Sequence, residues 1–473
     1  MKTIEPEQIV ETAERLRWQV PHNARDRWVE LVYGEAARIA GRNVMQNGES
    51  RRLPWERKLD WILTSRWTGI PVMIGLFALV LWITIIGANV PSGLLASLLV
   101  DKGYLGLKEL AAAAHFPVWL SGLLFDGMYL TTAWVVSVML PPMAIFFPLF
   151  TILEDFGYLP RVAFNLDNLF RKSGAHGKQA LTQVMGFGCN AAGVVATRII
   201  DSPRERLIAI ITNNFSLCNG RWPTQILIAT VFLGSLVPPV LAGVTAAGAV
   251  LAVALLGMGL TFLTAWLLTG TVLKGEASTF SLELPPYRPP RILRTLYTSL
   301  IDRTLIVLWR AIVFALPAGV AIWLVSNVTV GGVTIAHHLI DGLNPVGVLL
   351  GLNGVILLAY IIAIPANEIV VPTILMLTVL STGMTGVGEQ GTGVMFETDD
   401  GSLLKLLATG GWTTLTAVCL MLFSLCHNPC STTIYTIWKE TKSVKWTTLA
   451  TLLPIGFGVL LCGAVAAVWR AVQ

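Results

Sequence analysis

The chain has 473 residues, 54% of them hydrophobic and only 13% charged, with a mean hydropathy of +0.68 and a formal net charge of +5. A soluble domain carries about 25% charged residues, so this balance excludes an ordinary soluble protein. The small positive charge points to no nucleic-acid partner. Uncharged runs at 69–100, 227–273 and 447–469 exceed the roughly 20 apolar residues that a membrane-crossing helix needs.

In chain order, residues 1–50 read as two short amphipathic helices. The first 60 residues hold no apolar core of a secretion signal, so none is expected. Arg51, Arg52, Arg57, Lys58 and Arg66 precede the first span, about 69–90, and predict a cytoplasmic N-terminus. Residues 91–125 are mixed and read as external or interfacial. A second span over 128–151 contains Pro141-Pro142 and leads to a charged segment with Glu154, Asp155 and Arg161. Residues 179–200 are apolar yet flanked by basic residues, which predicts a hairpin dipping in from the cytoplasm and turning near Cys189. Residues 207–236 cross outward with a break at Asn219-Gly220, and 240–272 cross back. The basic segment 273–303 belongs inside. Residues 304–326 go out, and 345–380 form a second hairpin turning near Pro365. Glu389, Glu397, Asp399 and Asp400 suit the outside. Residues 403–436 cross inward with a break at Asn428-Pro429. Lys439, Lys442 and Lys445 mark the cytoplasm, and 447–469 is the last span.

Four short sequences break these apolar segments: Gly186-Phe187-Gly188-Cys189-Asn190, Cys218-Asn219-Gly220-Arg221-Trp222-Pro223, Ile364-Pro365-Ala366-Asn367-Glu368 and Cys426-His427-Asn428-Pro429-Cys430. Backbone groups freed in hydrocarbon must find partners, so such breaks survive only inside protein or facing a water-filled cavity. Two lie in each half of the chain, and each half reads as a hairpin plus a broken crossing of opposite orientation. That pattern is the mark of an inverted-repeat transporter with its site at the breaks. The expected fold class is all-α and polytopic. Its parts are a cytoplasmic helical segment at 1–60, a first transmembrane repeat at 61–272, a cytoplasmic linker at 273–303 and a second repeat at 304–473.

The runs Leu153-Glu154-Asp155-Phe156-Gly157-Tyr158, Gly186-Phe187-Gly188-Cys189-Asn190, Glu283-Leu284-Pro285-Pro286-Tyr287-Arg288 and Pro365-Ala366-Asn367-Glu368 resemble, in order, the membrane domain of the bacterial ferrous iron transport protein B family. The resemblance covers nearly all of residues 50–470. It implies two Gate-type repeats around a path for ferrous iron in the cytoplasmic membrane. It also implies an N-terminal GTP-binding domain. The 473 residues contain no GxxxxGK[ST], the loop whose amides cradle phosphate. No GTP hydrolysis, enzyme activity or bound nucleotide is therefore expected of these residues. Partners that this reading admits are ferrous ion, membrane lipid, a separate GTPase, a small accessory iron-transport protein and further copies of the chain.

Within the breaks, proline frees the carbonyl four residues earlier: Pro223 that of Asn219, Pro429 that of Leu425, Pro365 that of Ile361. Ferrous iron is borderline in softness and accepts a mixture of thiolate, carboxylate and amide oxygen. The candidate ion ligands are Cys189, Asn190, Cys218, Asn219, Asn367, Glu368, Cys426 and Cys430. Cys189 and Cys218 have a plainer role open to them, as packing elbows with a buried thiol. Cys426 and Cys430 are four apart and would share a face of a continuous helix, although Pro429 intervenes. Glu368 is the most pointed candidate, since an ionised carboxylate at the centre of a membrane helix costs about 2.5–3.5 kcal/mol by insertion scales. His427 reads as simply hydrogen-bonded, Arg221 as a cap of helix ends, and Cys419 and Cys462 as small apolar filler. Two rivals remain open: an ion-coupled carrier of a nucleoside or other organic solute, and a membrane sensor that binds metal without moving it.

Overall fold

The computed structural model describes residues 24–43, 54–65, 67–274, 287, 292–382, 407 and 409–472. The protein is helical throughout these residues apart from a two-residue antiparallel pair, Thr329–Val330 with Val333–Thr334. Among the described residues, six helices are long and apolar enough to cross a membrane: Gly69–Ala113, Val118–Asp155, Leu241–Gly270, Ile292–Asn327, Thr414–Thr441 and Val444–Val472. A seventh candidate is the pair Ile335–Leu349 and Gly354–Ile362, bent by 111° at its break. The protein is thus a multi-pass helical membrane protein. Proline recurs inside these helices, at 91, 141, 142, 148, 317, 345 and 454, as membrane helices tolerate when neighbours take up the freed groups.

The first span differs from its expected form. The helix does not stop near residue 90 but runs on through Ser97–Tyr104, with π-type bonding, into Leu105–Ala113. The stretch is rich in Leu and Ala, which favour helix. Of its charges, Lys108 pairs with Asp126 at 2.8 Å, and Tyr104 donates to the same carboxylate at 2.9 Å. Of the expected N-terminal helices, Ala24–Asn43 is described. The acidic segment 383–402 and most of the basic linker lie outside the described residues.

The charged segment after Val118–Asp155 is structural. Arg161, 2% exposed, donates to Gly157 O at 2.6 Å and to Asp60 at 3.1 Å. Its guanidinium lies 4.0 Å from the centre of the Tyr287 ring, and the Tyr287 hydroxyl donates to the same Asp60 oxygen at 2.9 Å. Asp155 accepts from Thr295 at 2.5 Å.

The main core lies where the halves meet. Phe215, Leu217 and Ile228 pack there with Ile356, Ile369, Leu420 and Leu425. The broken segments run through this core and not around it. The short helices Gln179–Gly188, Asn190–Ala196 and Trp222–Ile228 are each under about 16 Å long at 1.5 Å per residue, too short to span alone.

Candidate metal centre

The first break of each half has the same backbone. Cys189 (φ −153°, ψ 120°) and Ala366 (φ −151°, ψ 122°) are both extended, both stand directly before an asparagine, and both interrupt a helix. In each half the second break then closes onto the first. Asn219 N–H donates to Gly188 O at 3.1 Å, and Ser431 N–H donates to Ile364 O at 2.9 Å. Gly188 is required at its position because Phe146 lies across it, where a Cβ would come within 1.9 Å of the ring.

Asparagines complete the first clamp. The Asn213 amide donates to Asn190 O at 2.9 Å. The Asn190 amide, oriented to satisfy both acceptors, donates to Gly186 O at 3.0 Å and Ser216 O at 3.3 Å. Trp222 Nε1 donates to Phe187 O at 3.4 Å. The polar run Asn213-Asn214-Phe215-Ser216 inside an apolar stretch is the sequence signal for this clamp, and it lies outside the four motifs.

Across the halves, the Asn367 amide donates to Cys218 Sγ at 3.6 Å, while its oxygen lies 2.9 Å from His427 Nε2. His427 Nδ1 lies 2.9 Å from Ser424 O, and the neutral ring donates through one of its two nitrogens. Arg221, 1% exposed, sends Nη1 to Asn214 O (2.9 Å) and Leu425 O (3.0 Å), and Nη2 to His427 O (3.1 Å) and Asn428 O (3.3 Å). The carbonyl that Pro429 frees is thus taken by a guanidinium. The Glu368 carboxylate rests against Gly220, in the second break of the first half.

The eight candidate ligands divide. Cys189 interacts electrostatically with Cys218 and Cys430, each of those two interacts with Glu368, and Asn367 joins them through Cys218. Cys430 also contacts Thr433 Oγ1 at 3.3 Å. Asn190 serves as a brace of the first hairpin, and Asn219 contributes its main-chain N–H. Cys426 stands apart. It ends the helix Thr414–Cys426, is fully buried and packs against Gly458 of the last span. The break falls between it and Cys430, so the four-residue spacing does not align the two thiols. Cys419 and Cys462 sit together in the core, the Cys462 thiol donating to Cys419 O at 3.3 Å.

Among the described residues, no three His, Cys, Asp or Glu side chains are gathered at metal-holding distance. The cluster is therefore a loose set of soft and hard donors from both halves.

Residues 136–233, which include both breaks of the first half, match the family model described as Gate, nucleoside recognition. Residues 250–302 match the ferrous iron transport protein B C terminus. The chain is 29% identical over 405 residues to an Fe(2+) transporter FeoB of Staphylococcus aureus (strain MSSA476), covering 84% of this chain and 57% of that protein. It is 33% identical over 278 residues to an Fe(2+) transporter FeoB of Salmonella typhimurium, covering 57% of this chain and 33% of that protein. The chain thus spans little more than half the length of the first of these relatives and a third of the second. No solved structure matches. By these matches residues 136–233 are similar to the Gate family and residues 250–302 to the C terminus of ferrous iron transport protein B.

Proposed function

We propose that the chain carries ferrous iron across the cytoplasmic membrane, with its N-terminus inside, by alternating access between two inverted repeats. The observation that carries this reading is the contact of the two halves at their breaks, where Glu368 lies against Gly220 and Asn367 bonds Cys218. Three thiols and a carboxylate suit a borderline divalent ion better than an organic solute. Asn367 supplies an amide oxygen once its bond to His427 is released. On binding, the thiols give up protons, because thiolate and not thiol is the ligand. The hairpins then rock against the second breaks.

The driving force is the membrane potential. An inside-negative potential of 100 mV is worth about 2.3 kcal/mol per charge, hence about 4.6 kcal/mol for a divalent ion. These residues bind no nucleotide, and a GTPase, where one takes part, acts through contact with them. The test is uptake into liposomes holding only this chain, with iron kept ferrous, an imposed potential and no nucleotide. Uptake that saturates with iron and follows the potential is expected. Uptake no greater than in protein-free liposomes overturns the reading, and iron binding without uptake supports the sensor instead.

A further inference from the structure

Glu440 sits in the last turn of the helix Ser431–Thr441, on the face of the protein that also carries Arg198, Arg204, Arg206, Lys439, Lys442 and Lys445. Its side chain is only 4% exposed. Arg198 grips the carboxylate with two prongs, Nε to Oε2 at 3.0 Å and Nη2 to Oε1 at 2.6 Å, and Arg206 adds a third bond at 2.5 Å. Both arginines come from the first half. Arg198 follows directly on the helix Asn190–Ala196, and Arg206 lies on the helix Pro203–Thr212, started by Pro203 and the Ser202 cap.

The two helices joined by this cluster pack side by side and begin at Cys189 and Cys430. One end of the pair therefore holds thiols of the ion site and the other end holds three charges locked together. Along the pair lies a cavity of about 550 Å³, lined by Ala192 and Thr436, with Glu154, Glu440, Arg310 and Lys439 also on its wall. Ala192 is three residues from Cys189, and Thr436 six from Cys430. The cavity thus reaches from within a turn of Cys189 to the ion cluster.

We propose that Arg198, Arg206 and Glu440 form the gate of this cavity, and that the cavity is the vestibule through which a divalent cation passes between the thiols and the basic face. The ion's identity rests on the transport reading above; the gate does not. When the cluster is closed, Glu440 is neutralised and two guanidinium groups stand at the mouth, where they repel a dication. Parting of the two helices breaks the bonds from Arg198 and Arg206. The Glu440 carboxylate then joins Glu154 on the cavity wall, where the two offset Arg310 and Lys439 and admit the cation. Arginine suits the closed form because its fork matches a carboxylate bidentately.

The test uses the full chain in membrane vesicles and Glu440→Gln, which keeps the shape and removes the charge. The rate at which a membrane-impermeant maleimide added to the basic face modifies Cys430 is read by peptide mass spectrometry. The gate predicts a rate several-fold above the parent's in Glu440→Gln. Arg198→Gln, at a half-exposed position that leaves Arg206 in place, predicts a smaller rise and covers failure of the first variant to fold. A cross-link between Arg198→Cys and Glu440→Cys should stop ferrous uptake, and a reductant should restore it. Unchanged Cys430 modification in folded variants, or full uptake in the cross-linked protein, overturns the gate. Raised modification in a protein that moves no iron retains the gate and overturns the iron reading.

Discussion

Glu368 and Gly220 come from different halves of the chain and meet without a gap: a Cβ added at position 220 would lie 2.5 Å from Glu368 Oε1 and 2.6 Å from its carboxyl carbon. No other residue type leaves room for the carboxylate. Gly220→Ala should push Glu368 away from Cys218 and Cys430 while leaving the apolar core intact. The expected result is a fall in ferrous uptake with little loss of folded protein. Uptake and thermal unfolding measured on the same preparation check this; parent-level uptake would mean that the contact has no part in transport.

Glu368→Gln keeps the size and hydrogen bonding but removes the charge. If the carboxylate binds the cation, affinity for ferrous iron should fall at least tenfold, about 1.4 kcal/mol, and most uptake should be lost. A purely structural glutamate predicts altered stability at unchanged affinity. Iron titration and unfolding of both proteins in one detergent separate these outcomes.

Cys189→Ser and Cys430→Ser should each lower uptake, since a hydroxyl is a poor substitute for a soft thiolate. Cys426→Ala is the contrasting variant, because Cys426 packs against Gly458 and away from the cluster. It should transport like the parent after correction for protein amount. Equal uptake in all three variants would remove the thiols from the path.

Tyr287 is held by burial first, and next by its bond to Asp60, with its pKa pushed up to about 12. A raised tyrosine pKa means that the folded state keeps a proton that the unfolded state releases from about pH 10. The stability tied to this proton, from burial first and the Asp60 bond second, is therefore complete below pH 10 and is lost as pH rises toward 12. Tyr287→Phe should cost about 1 kcal/mol at neutral pH and should weaken the alkaline fall in unfolding temperature. An unchanged alkaline profile would show that the bond is not the source of the effect.

The four breaks were legible because Gly, Pro, Asn, Glu and Cys are conspicuous in apolar runs, and all four interrupt helices where expected. The match of Cys189 to Ala366 was not, since the two share a backbone shape and no chemistry. Arg221 was readable as a cap of helix ends, but not its partners. Three of them, Leu425, His427 and Asn428, are main-chain oxygens more than 200 residues away. Cys426 misled because helical spacing holds only within an unbroken helix. Glu440 carries no motif, and only the fold brings it to Arg198 and Arg206. Residues 91–125 read as mixed and external or interfacial because scattered charges hide a helix, through Ala113, whose salt bridge to Asp126 is non-local.

The bonds that tie break to break, Asn219 to Gly188 and Ser431 to Ile364, join main chain to main chain within one half. The bonds that cross between halves are of another kind. Arg221 reaches Leu425, Gln225 reaches Met421 at 2.8 Å, Asn214 reaches Ala450 at 2.8 Å, and Asn367 reaches Cys218. Each has a side chain at one end at least. A peptide amide has a fixed reach, whereas a side chain changes rotamer and finds a new acceptor. The seam between the halves is therefore built like a row of hooks and each half like a weld, which concentrates compliance in the layer where the thiols and Glu368 meet.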